Sequence, residues 1–414
     1  MKISLCLITK DEEHNIERCI LSVKEIVNEI IAVDTGSTDK TVEIAKNLGA
    51  SIYYFEWVYD FSKARNYAIS KATGDWIIFL DADEYLEDGK QSLLLHYIKE
   101  VTKMKEEAIA IFRINFDPIK PGSEKGGYDL RIFKNSPHLL YKRPIHETLT
   151  NTKKTLNAVM LPSDQIKLYH IGYSEEELTK KDTLNRNITI LSKAVENNPN
   201  DQLSLIYLGR EYAIKKDFEN SFYYLNLLQD INDENISRML KEYYSYFLYS
   251  STKLNKDIEE IIKIYNNAIK YEPNFPDFHY SMAMYYLDKQ DSKEAIPYLE
   301  ATLNSLIHFP RNQKCRISVA SVPLIYLNLA ESYLNQNLFD KTISTFTEML
   351  IFNKWYRTGL IKFLEIMISN LPEDVFEFLQ EIYDFHSQNE IEFIISCAKE
   401  TNFTGLIILL ENIL

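Results

Sequence analysis

The chain has 414 residues, of which 45% are hydrophobic and 26% are charged, so it is too apolar for a disordered chain and long enough for two or three domains. Glycine is scarce, with 11 residues, which argues against a turn-rich all-β protein or a low-complexity chain. Eight of these glycines lie in the first 172 residues. The net charge is −14 and most of the acidic excess lies beyond residue 172. An acidic body repels phosphate backbones, so we expect no nucleic-acid partner.

The cysteines and the apolar segments indicate in which cellular compartment the protein is expected. The four cysteines are far apart and form no C-x-x-C pair, which suits a reducing compartment and gives no sign of a metal site. The apolar stretch near the N-terminus is too short for the core of a signal peptide. No segment reaches about 18 consecutive apolar residues, so we expect no stable membrane insertion. These features predict a cytoplasmic protein.

The first third of the chain alternates short apolar segments with helical patterns. The predicted strands cover residues 3–8, 29–33, 51–55, 76–80, 108–116, 128–134 and 166–171. The predicted helices between the first four strands cover residues 12–27, 41–48 and 61–72. Strands that alternate with helices predict an α/β fold with a Rossmann-like, mostly parallel sheet.

Beyond residue 174 the pattern is helical only, and it repeats. Tyr212, Tyr286 and Tyr333 are each followed by a small residue nine positions later and an apolar residue thirteen positions later. The segments 194–199 and 268–273 also resemble each other, at a separation of about two 37-residue units. This pattern resembles tetratricopeptide repeats and predicts an all-α helical solenoid after the sheet domain.

These patterns divide the chain into four segments. We predict a sheet domain over residues 1–172 and a linker or capping helix over 173–198. Tetratricopeptide-like repeats follow over 199–350, and helices that close the solenoid over 351–414.

Polar groups follow three of the predicted strands, at residues 9–12, 34–39 and 81–84. The carboxyl ends of parallel strands are where ligands bind in sheets of this kind. Asp81 and Asp83 follow an apolar strand with a spacing of two, and together they can hold one Mg²⁺ or Mn²⁺ that is shared with substrate phosphates. An isolated pair of this spacing is more often a solvated turn, but its place beside the other two groups favours a site.

Three segments in this order resemble the family 2 glycosyltransferases of the GT-A fold, over about residues 1–172: ITKDEEHNIERCILSV, EIIAVDTGSTDKTVEIA and DFSKARNYAISKATGDWIIFLDADE. The DFSKARN and DADE spellings, the later PIHE at 144–147 and the helical repeats resemble a bacterial branch that modifies lipopolysaccharide cores and peptides. Over nearly the whole chain, the resemblance is to the cysteine S-glycosyltransferases that make glycocin bacteriocins.

The resemblance implies a UDP-sugar donor, with UDP-glucose as the first expectation. Thr9 and Asp34 match positions that contact the base, where Asp34 can accept from the uracil N3–H. Arg65 matches an arginine that pairs with the base or the diphosphate, for which a guanidinium is well suited. The residues implied in nucleotide-sugar binding are Thr9, Asp34, Lys63, Arg65, Asp81 and Arg131.

The resemblance also implies a metal and a base. Asp83 is expected to ligate Mg²⁺ or Mn²⁺ directly, and Asp81 to contact the ribose or a metal-bound water. His170 is either a third metal ligand or a structural histidine. The metal would offset charge on the departing diphosphate. For the base that takes the acceptor proton, Glu147 is the first choice and His146 the second, although a cysteine thiolate depends less on a base.

The leading hypothesis is therefore a metal-dependent, inverting glycosyltransferase that moves a hexose to a peptide side chain, Cys first and Ser second. In this hypothesis the helical domain grips the acceptor. One alternative keeps the enzyme and replaces the acceptor by a lipopolysaccharide core or another glycan. Another is a non-catalytic scaffold built on the repeats. Repeat arrays sometimes self-associate, so a homodimer through the helical domain also stays open.

Overall fold

The structure is a computed structural model and describes residues 1–115, 125–171, 182–228, 234–309 and 315–414. The chain divides into two compact units, Met1–Ser204 and Leu205–Leu414. Within the described residues, no helix has the length and apolar character that crossing a membrane requires. The predicted boundary after residue 172 falls outside the described residues, and those at 198 and 350 stay predictions.

The first unit contains the strands and five of the described helices. The strands are β1 (Ile3–Thr9), β2 (Glu29–Asp34), β3 (Ser51–Tyr54), β4 (Trp76–Phe79), β5 (Glu84–Leu86), β6 (Ala108–Asn115), β7 (Lys125–Lys134), β8 (Leu139–Lys142), β9 (Thr148–Asn151), β10 (Ala158–Met160) and β11 (Lys167–His170). The helices are α1 (Ile16–Val23), α2 (Thr41–Asn47), α3 (Phe61–Ile69), α4 (Gln91–Thr102) and α5 (Thr183–Asn197).

Nine of the described strands form one sheet in the order β3-β2-β1-β4-β7-β6-β11-β5, with β10 beside β6. The parallel pairs are β1 with β2, β1 with β4, β2 with β3, β6 with β10, and β6 with β11. The antiparallel pairs are β4 with β7, β6 with β7, and β5 with β11. The predicted α/β fold with a mostly parallel sheet is thus confirmed. Strands β8 and β9 form a separate hairpin.

The central strands are apolar runs because both faces of the sheet are covered. On β1, Leu5 and Leu7 join one core with Ile20 of α1. Cys6 joins the other core, which includes Ala68 of α3. Alternate residues of β1 thus pack into two different cores, and the pairing of β1 with β2 brings Thr9 opposite Asp34 at the carboxyl ends of the two strands.

Some elements differ from the sequence prediction. Helix α1 begins at Ile16 rather than at residue 12, because residues 12–15 form a turn in which the carbonyl of Glu12 accepts from Asn15 and Ile16. The short strands β5, β8, β9 and β10 were not predicted, since three or four residues carry little periodicity. Helix α4 was also not predicted, although Leu94, Ile98 and Val101 lie at helical spacing and are buried.

The second unit is helical throughout its described residues. Its helices are α6 (Gln202–Ile214, which begins in the first unit), α7 (Phe218–Asn226), α8 (Glu234–Ser237), α9 (Leu240–Lys253), α10 (Ile258–Tyr271), α11 (Pro276–Asp288), α12 (Ser292–His308), α13 (Val322–Asn335), α14 (Phe339–Phe352), α15 (Arg357–Met367), α16 (Pro372–Gln380), α17 (Gln388–Glu400) and α18 (Thr404–Glu411). Consecutive helices pack as hairpins, for example α11 with α12 and α13 with α14.

The repeat pattern explains how these hairpins close. The small residues Ser221, Ala295 and Thr342 are fully buried. A Cβ atom on Gly209 would overlap the side chain of Leu225, so only glycine lets α6 and α7 approach this closely. In two repeats, tyrosines twelve residues apart also stack, with ring centroids 5.6 Å apart. The predicted tetratricopeptide-like architecture is confirmed.

Candidate active site

The first part of the candidate site lies at the ends of β1 and β2. The side chains of Thr9 and Asp34 are buried there. The carboxylate of Asp34 accepts from the backbone N–H groups of Gly36, at 3.1 Å, and Ser37, at 3.2 Å. Gly36 has a φ of 113°, a conformation that favours glycine in this turn. The Thr9 hydroxyl is buried and has no hydrogen-bond partner among the described residues, so it could bond to a ligand.

The second part is an ion network around Asp81, directly after β4. Asp81 Oδ1 lies 2.7 Å from Arg65 Nη2, and Asp81 Oδ2 lies 2.7 Å from Arg131 Nη2. Burial by itself raises the pKa of Asp81, but the guanidinium groups of Arg131 and Arg65 outweigh it and hold that pKa well below its ordinary value. Asp81 is therefore ionised, and both of its oxygens accept from arginines.

Glu84 extends this network into the interior. Its side chain is fully buried, its Oε1 lies 2.6 Å from Arg131 Nη2, and its Oε2 accepts from the backbone N–H of Asp81 at 3.1 Å. Arg113 of β6 lies within 3.7 Å of the same carboxylate and also pairs with Asp129 of β7. Burial raises the pKa of Glu84, which Arg131 only partly offsets.

The third part pairs Asp83 with His170. His170 Nε2 lies 3.4 Å from Asp83 Oδ1, and its Nδ1 lies 3.0 Å from Asn115 Oδ1 and from Arg113 Nη1. Burial alone lowers the pKa of His170, but the bond to Asp83 outweighs it and raises that pKa. A carboxylate and an imidazole held in this way fit a divalent cation. The described residues contain no group of three or more candidate ligands.

The fourth part is the loop between β8 and β9, which carries His146 and Glu147. Glu147 Oε1 lies 2.6 Å from Arg65 Nε, so Arg65 bridges Glu147 and Asp81. The side-chain amide of Asn66 pairs with both the N–H and the C=O of Tyr141 on β8, at 2.9 Å each. The KARN segment therefore has two functions: Arg65 binds the network and Asn66 docks the hairpin.

Three buried donor atoms beside Asp81 have no hydrogen-bond partner among the described residues: Arg65 Nη1, Arg131 Nε and the Tyr141 hydroxyl. The ring of Tyr141 lies 5.3 Å from the Arg65 guanidinium. Burial raises the pKa of Tyr141 to about 12, so its hydroxyl stays protonated. Unpaired buried donors of this kind suit an anionic ligand or an ordered water.

One residue named from the sequence lies apart from this arrangement. Lys63 is 65% exposed and pairs with Asp60, at 3.6 Å. Lys63 and Arg65 are two positions apart on α3, which places them on nearly opposite faces of the helix. The structure thus brings together Arg65, Asp81, Arg131 and Glu147, and it holds Asp83 beside His170, but it does not bring Lys63 to them.

Sequence reasoning gave no role to several residues of the network: Asn66, Arg113, Asp129, Tyr141 and Glu84, the last of which was named only as part of the polar group 81–84. Arg113 could have been found, because it is a charged residue within the otherwise apolar strand AIAIFRIN. Glu84 stands in the segment DADEYL, and its burial depends on pairing between β5 and β11 that no local pattern shows.

Comparisons with known proteins agree with the two-part organisation. Residues 4–117 match the family model of Glycosyl transferase family 2. A TPR repeat-containing protein of Synechococcus elongatus is 33% identical over 216 residues, which cover 50% of this chain and 51% of that protein. The SPbeta prophage-derived glycosyltransferase SunS of Bacillus subtilis is 31% identical over 244 residues, which cover 56% of this chain and 55% of SunS. The chain thus spans about half the length of these two relatives.

Shorter and more distant similarities also occur. An uncharacterized glycosyltransferase of Rickettsia typhi is 46% identical over 90 residues, which cover 22% of this chain and 30% of that protein. Among solved structures, TarS 1-349 of S. aureus is similar over 78% of this chain and 95% of that chain, with 13% identity and a TM-score of 0.32.

Proposed function

We propose that this chain, whose residues 4–117 match the family model of Glycosyl transferase family 2, is an inverting glycosyltransferase that moves a hexose from a UDP-sugar to a peptide side chain. We place cysteine first and serine second as acceptors, and glucose first as the sugar. The observation that carries the proposal is the Asp83–His170 pair, 3.4 Å apart, beside the Arg65–Asp81–Arg131 network. This combination suits a nucleoside diphosphate and a divalent cation together.

Thr9 and Asp34 would bind the base of the donor. Asp34 is fixed by two backbone donors, so its carboxylate is preorganised to accept from the uracil N3–H. The Thr9 hydroxyl, which has no hydrogen-bond partner in the described part of the chain, lies at the paired position on the neighbouring strand. Both groups are buried, so a base that bonds to them would be shielded from water.

Arg65 and Arg131 would hold the anionic part of the donor, through the buried donor atoms that Asp81, Glu84 and Glu147 leave unpaired. Asp83 and His170 would hold Mg²⁺ or Mn²⁺, and Asp81 would orient the arginines and contact the ribose or a metal-bound water. A bound divalent cation offsets the charge that develops on the departing diphosphate.

Glu147 is our first candidate for the base that takes the acceptor proton. Its carboxylate is held by Arg65 and lies in the same network as Asp81. His146, the next residue along the loop, is the second candidate. A cysteine acceptor needs the least help from either, because its thiolate is a strong nucleophile near neutral pH.

We assign acceptor binding to the helical unit, and we propose that two copies associate through it. Large apolar side chains near its C-terminal end support self-association, since Leu371 is 66% exposed and Ile408 is 54% exposed. Sedimentation velocity tests this point, and a monomer at micromolar concentration would contradict it.

The central experiment compares the wild type with Asp83→Ala. Each protein is incubated with UDP-glucose, Mn²⁺ and a synthetic cysteine-containing peptide, and the peptide mass is measured. The wild type should add one hexose, and the variant should lose at least about a hundredfold in rate because a cation ligand is removed. The matched control is Asp88→Ala, which removes an exposed carboxylate five residues away and should keep full activity.

Other outcomes separate the alternatives. If the wild type hydrolyses UDP-sugars in a metal-dependent way but modifies no cysteine or serine peptide, the peptide acceptor is wrong and a glycan acceptor takes its place. If calorimetry detects no binding of UDP with Mg²⁺ or Mn²⁺, the catalytic proposal fails and the scaffold hypothesis stands. Equal activity of Asp83→Ala and the wild type would overturn the site assignment.

A further inference from the structure

The loop between β8 and β9 has an unusual backbone. Arg143 has a φ of 81° and His146 a φ of 53°, so two non-glycine residues within four positions adopt the left-handed region. Such conformations are costly and persist only when surrounding contacts enforce them. This loop ends at Glu147, whose carboxylate meets Arg65. The contacts that hold the loop therefore also set where Glu147 lies.

An ion pair at the start of the loop reaches it from outside the sheet. Arg143 Nη2 lies 3.0 Å from Asp201 Oδ2 and 3.0 Å from Ser204 Oγ. Arg143 Nη1 lies 3.4 Å from Asp201 Oδ1, which makes the pairing two-pronged. The Arg143 and Asp201 side chains are both largely buried, so solvent screens this ion pair less than it would an exposed one.

Asp201 is itself fixed by the beginning of α6. The Ser204 hydroxyl donates to Asp201 Oδ2 at 2.7 Å, and the Ser204 backbone N–H approaches Oδ1 at 3.4 Å, as in a helix N-cap. The carboxylate thus serves a helix end and an arginine from a distant loop at the same time.

Helix α5, which precedes Asp201, contacts a second segment beside the same loop. The Arg186 guanidinium lies 5.2 Å from the ring of Phe61, and Lys193 Nζ lies 3.3 Å from the ring of Tyr59. The Phe61 backbone N–H donates to the carbonyl of Pro144 at 2.8 Å. The segment 183–204 therefore supports the loop twice, directly through Asp201 and indirectly through Phe61.

We infer that Arg143 and Asp201 are positioning residues, which hold the loop 143–147 so that Glu147 stays in place against Arg65. In this role the segment 183–204 contributes to catalysis indirectly. The Arg143–Asp201 ion pair affects the reaction by fixing the position of Glu147. This inference rests on the proposed function, because it assigns a purpose to the geometry of Glu147.

The test uses the full chain with three variants. Arg143→Ala removes the pair, and Arg143→Lys keeps the charge but loses the fork. Asp201→Asn removes the charge but keeps a good N-cap, since asparagine and aspartate cap helices about equally well. The matched control is Asp217→Asn, because Asp217 caps α7 through the N–H of Asn220 at 3.1 Å.

The first measurement is independent of activity. Hydrogen–deuterium exchange of the peptide that covers residues 143–147 should speed up at least about threefold in Arg143→Ala and Asp201→Asn, because the loop loses a restraint. The control should leave that peptide unchanged. Unchanged exchange in both variants would overturn the inference, whatever the protein catalyses.

The second measurement uses sugar transfer from the best UDP-sugar of a donor panel. Arg143→Ala should lower kcat about tenfold and leave the donor KM within about twofold, since the loop is displaced but the donor residues are not. Arg143→Lys should recover part of kcat, and Arg143→Ala/Asp201→Asn should lose little more than Arg143→Ala. An active wild type with an unchanged kcat in Arg143→Ala would contradict the inference. A wild type inactive with every donor would instead count against the proposed function, and the exchange measurement would still decide whether the pair holds the loop.

Discussion

The two units bury polar groups in different ways. Among the described residues of the first unit, the buried side chains include the charged groups of Asp34, Arg65, Glu84 and Arg131. Among the described residues of the second unit most buried polar side chains are hydroxyls, and several donate to the backbone carbonyl four residues earlier. These hydroxyls belong to Ser251, Ser281, Thr302, Ser332, Thr342 and Thr345.

The difference separates two purposes of a buried polar group. A hydroxyl that bonds to a carbonyl of its own helix costs little free energy to bury. Because the side chain is also small, a neighbouring helix can pack close to it. A buried charge costs several kcal/mol to desolvate and needs a partner from another element. In the first unit those partners come from α3, β5, β6, β7 and the turn that follows β4, which is where a ligand would bind.

The largest effect on stability should come from Arg131→Met. This change leaves Glu84 fully buried without its closest cation, and it also removes one of the two arginines that hold Asp81. We expect the free energy of unfolding to fall by about 3–5 kcal/mol, measured by urea denaturation. The double variant Arg131→Met/Glu84→Gln should recover part of this loss.

The matched control is Arg357→Met in the helical unit. Arg357 also pairs with a glutamate, Glu400, but the two side chains are 45% and 51% exposed. We expect a far smaller change than at Arg131, because exposed ion pairs contribute little. If Arg131→Met and Arg357→Met lowered the free energy of unfolding by similar amounts, burial of the ion pair would not explain the difference between the two units.

The second effect tests the small residues of the helical unit. Gly209→Val places a branched side chain where Leu225 already lies, so α6 and α7 must separate. We expect a loss of about 1–3 kcal/mol by thermal or urea denaturation. Adding Leu225→Ala makes room for valine, so the double variant should be more stable than the sum of the two single changes. Strict additivity would argue against this close contact.

The third effect is pH-dependent and lies at the edge of the sheet opposite the candidate site. Glu29 accepts from Ser4 Oγ, from the backbone N–H of Thr73 at 2.6 Å and from that of Gly74 at 3.1 Å. Burial opposes ionisation, but these bonds outweigh it and lower the pKa of Glu29 to about 2. Its contribution to stability is therefore complete above its ordinary pKa of about 4.5 and is lost as the pH falls towards 2.

Glu29→Gln should accordingly destabilise the protein by about 1–2 kcal/mol at pH 7 and by much less near pH 2.5. Denaturation at a series of pH values measures the difference. Glu25→Gln, at an exposed glutamate four residues earlier, should show no such trend. If the loss of unfolding free energy in Glu29→Gln did not change with pH, these donors would not be stabilising the ionised carboxylate of Glu29.

The sequence predicted those parts of the fold that have a local period. Strand β1 and the repeats around Tyr212 and Tyr286 were predicted because apolar or small residues recur at fixed spacing. The hairpin β8–β9 was not, because its position depends on Asn66 from a helix 75 residues earlier in the chain. Contacts at that separation have no local pattern.

The candidate site follows the same rule. Asp34 and Asp81 could be placed because a carboxylate directly after an apolar strand reaches the sheet edge. The sequence does not show which side of α3 faces the site. Lys63 was therefore grouped with Arg65, although the Lys63 side chain points to solvent. Glu84 and Arg113 become neighbours only through the pairing of β5, β11 and β6.

The pairing of Asn66 with Tyr141 has one more consequence, which concerns association between chains. An unpaired strand edge offers N–H and C=O groups to any other chain, and exposed edges of this kind promote aggregation. At Tyr141 both groups are already bonded to one side-chain amide. Asn66 therefore occupies both backbone groups of β8 at this residue, so they are not available to pair with the strand of another chain.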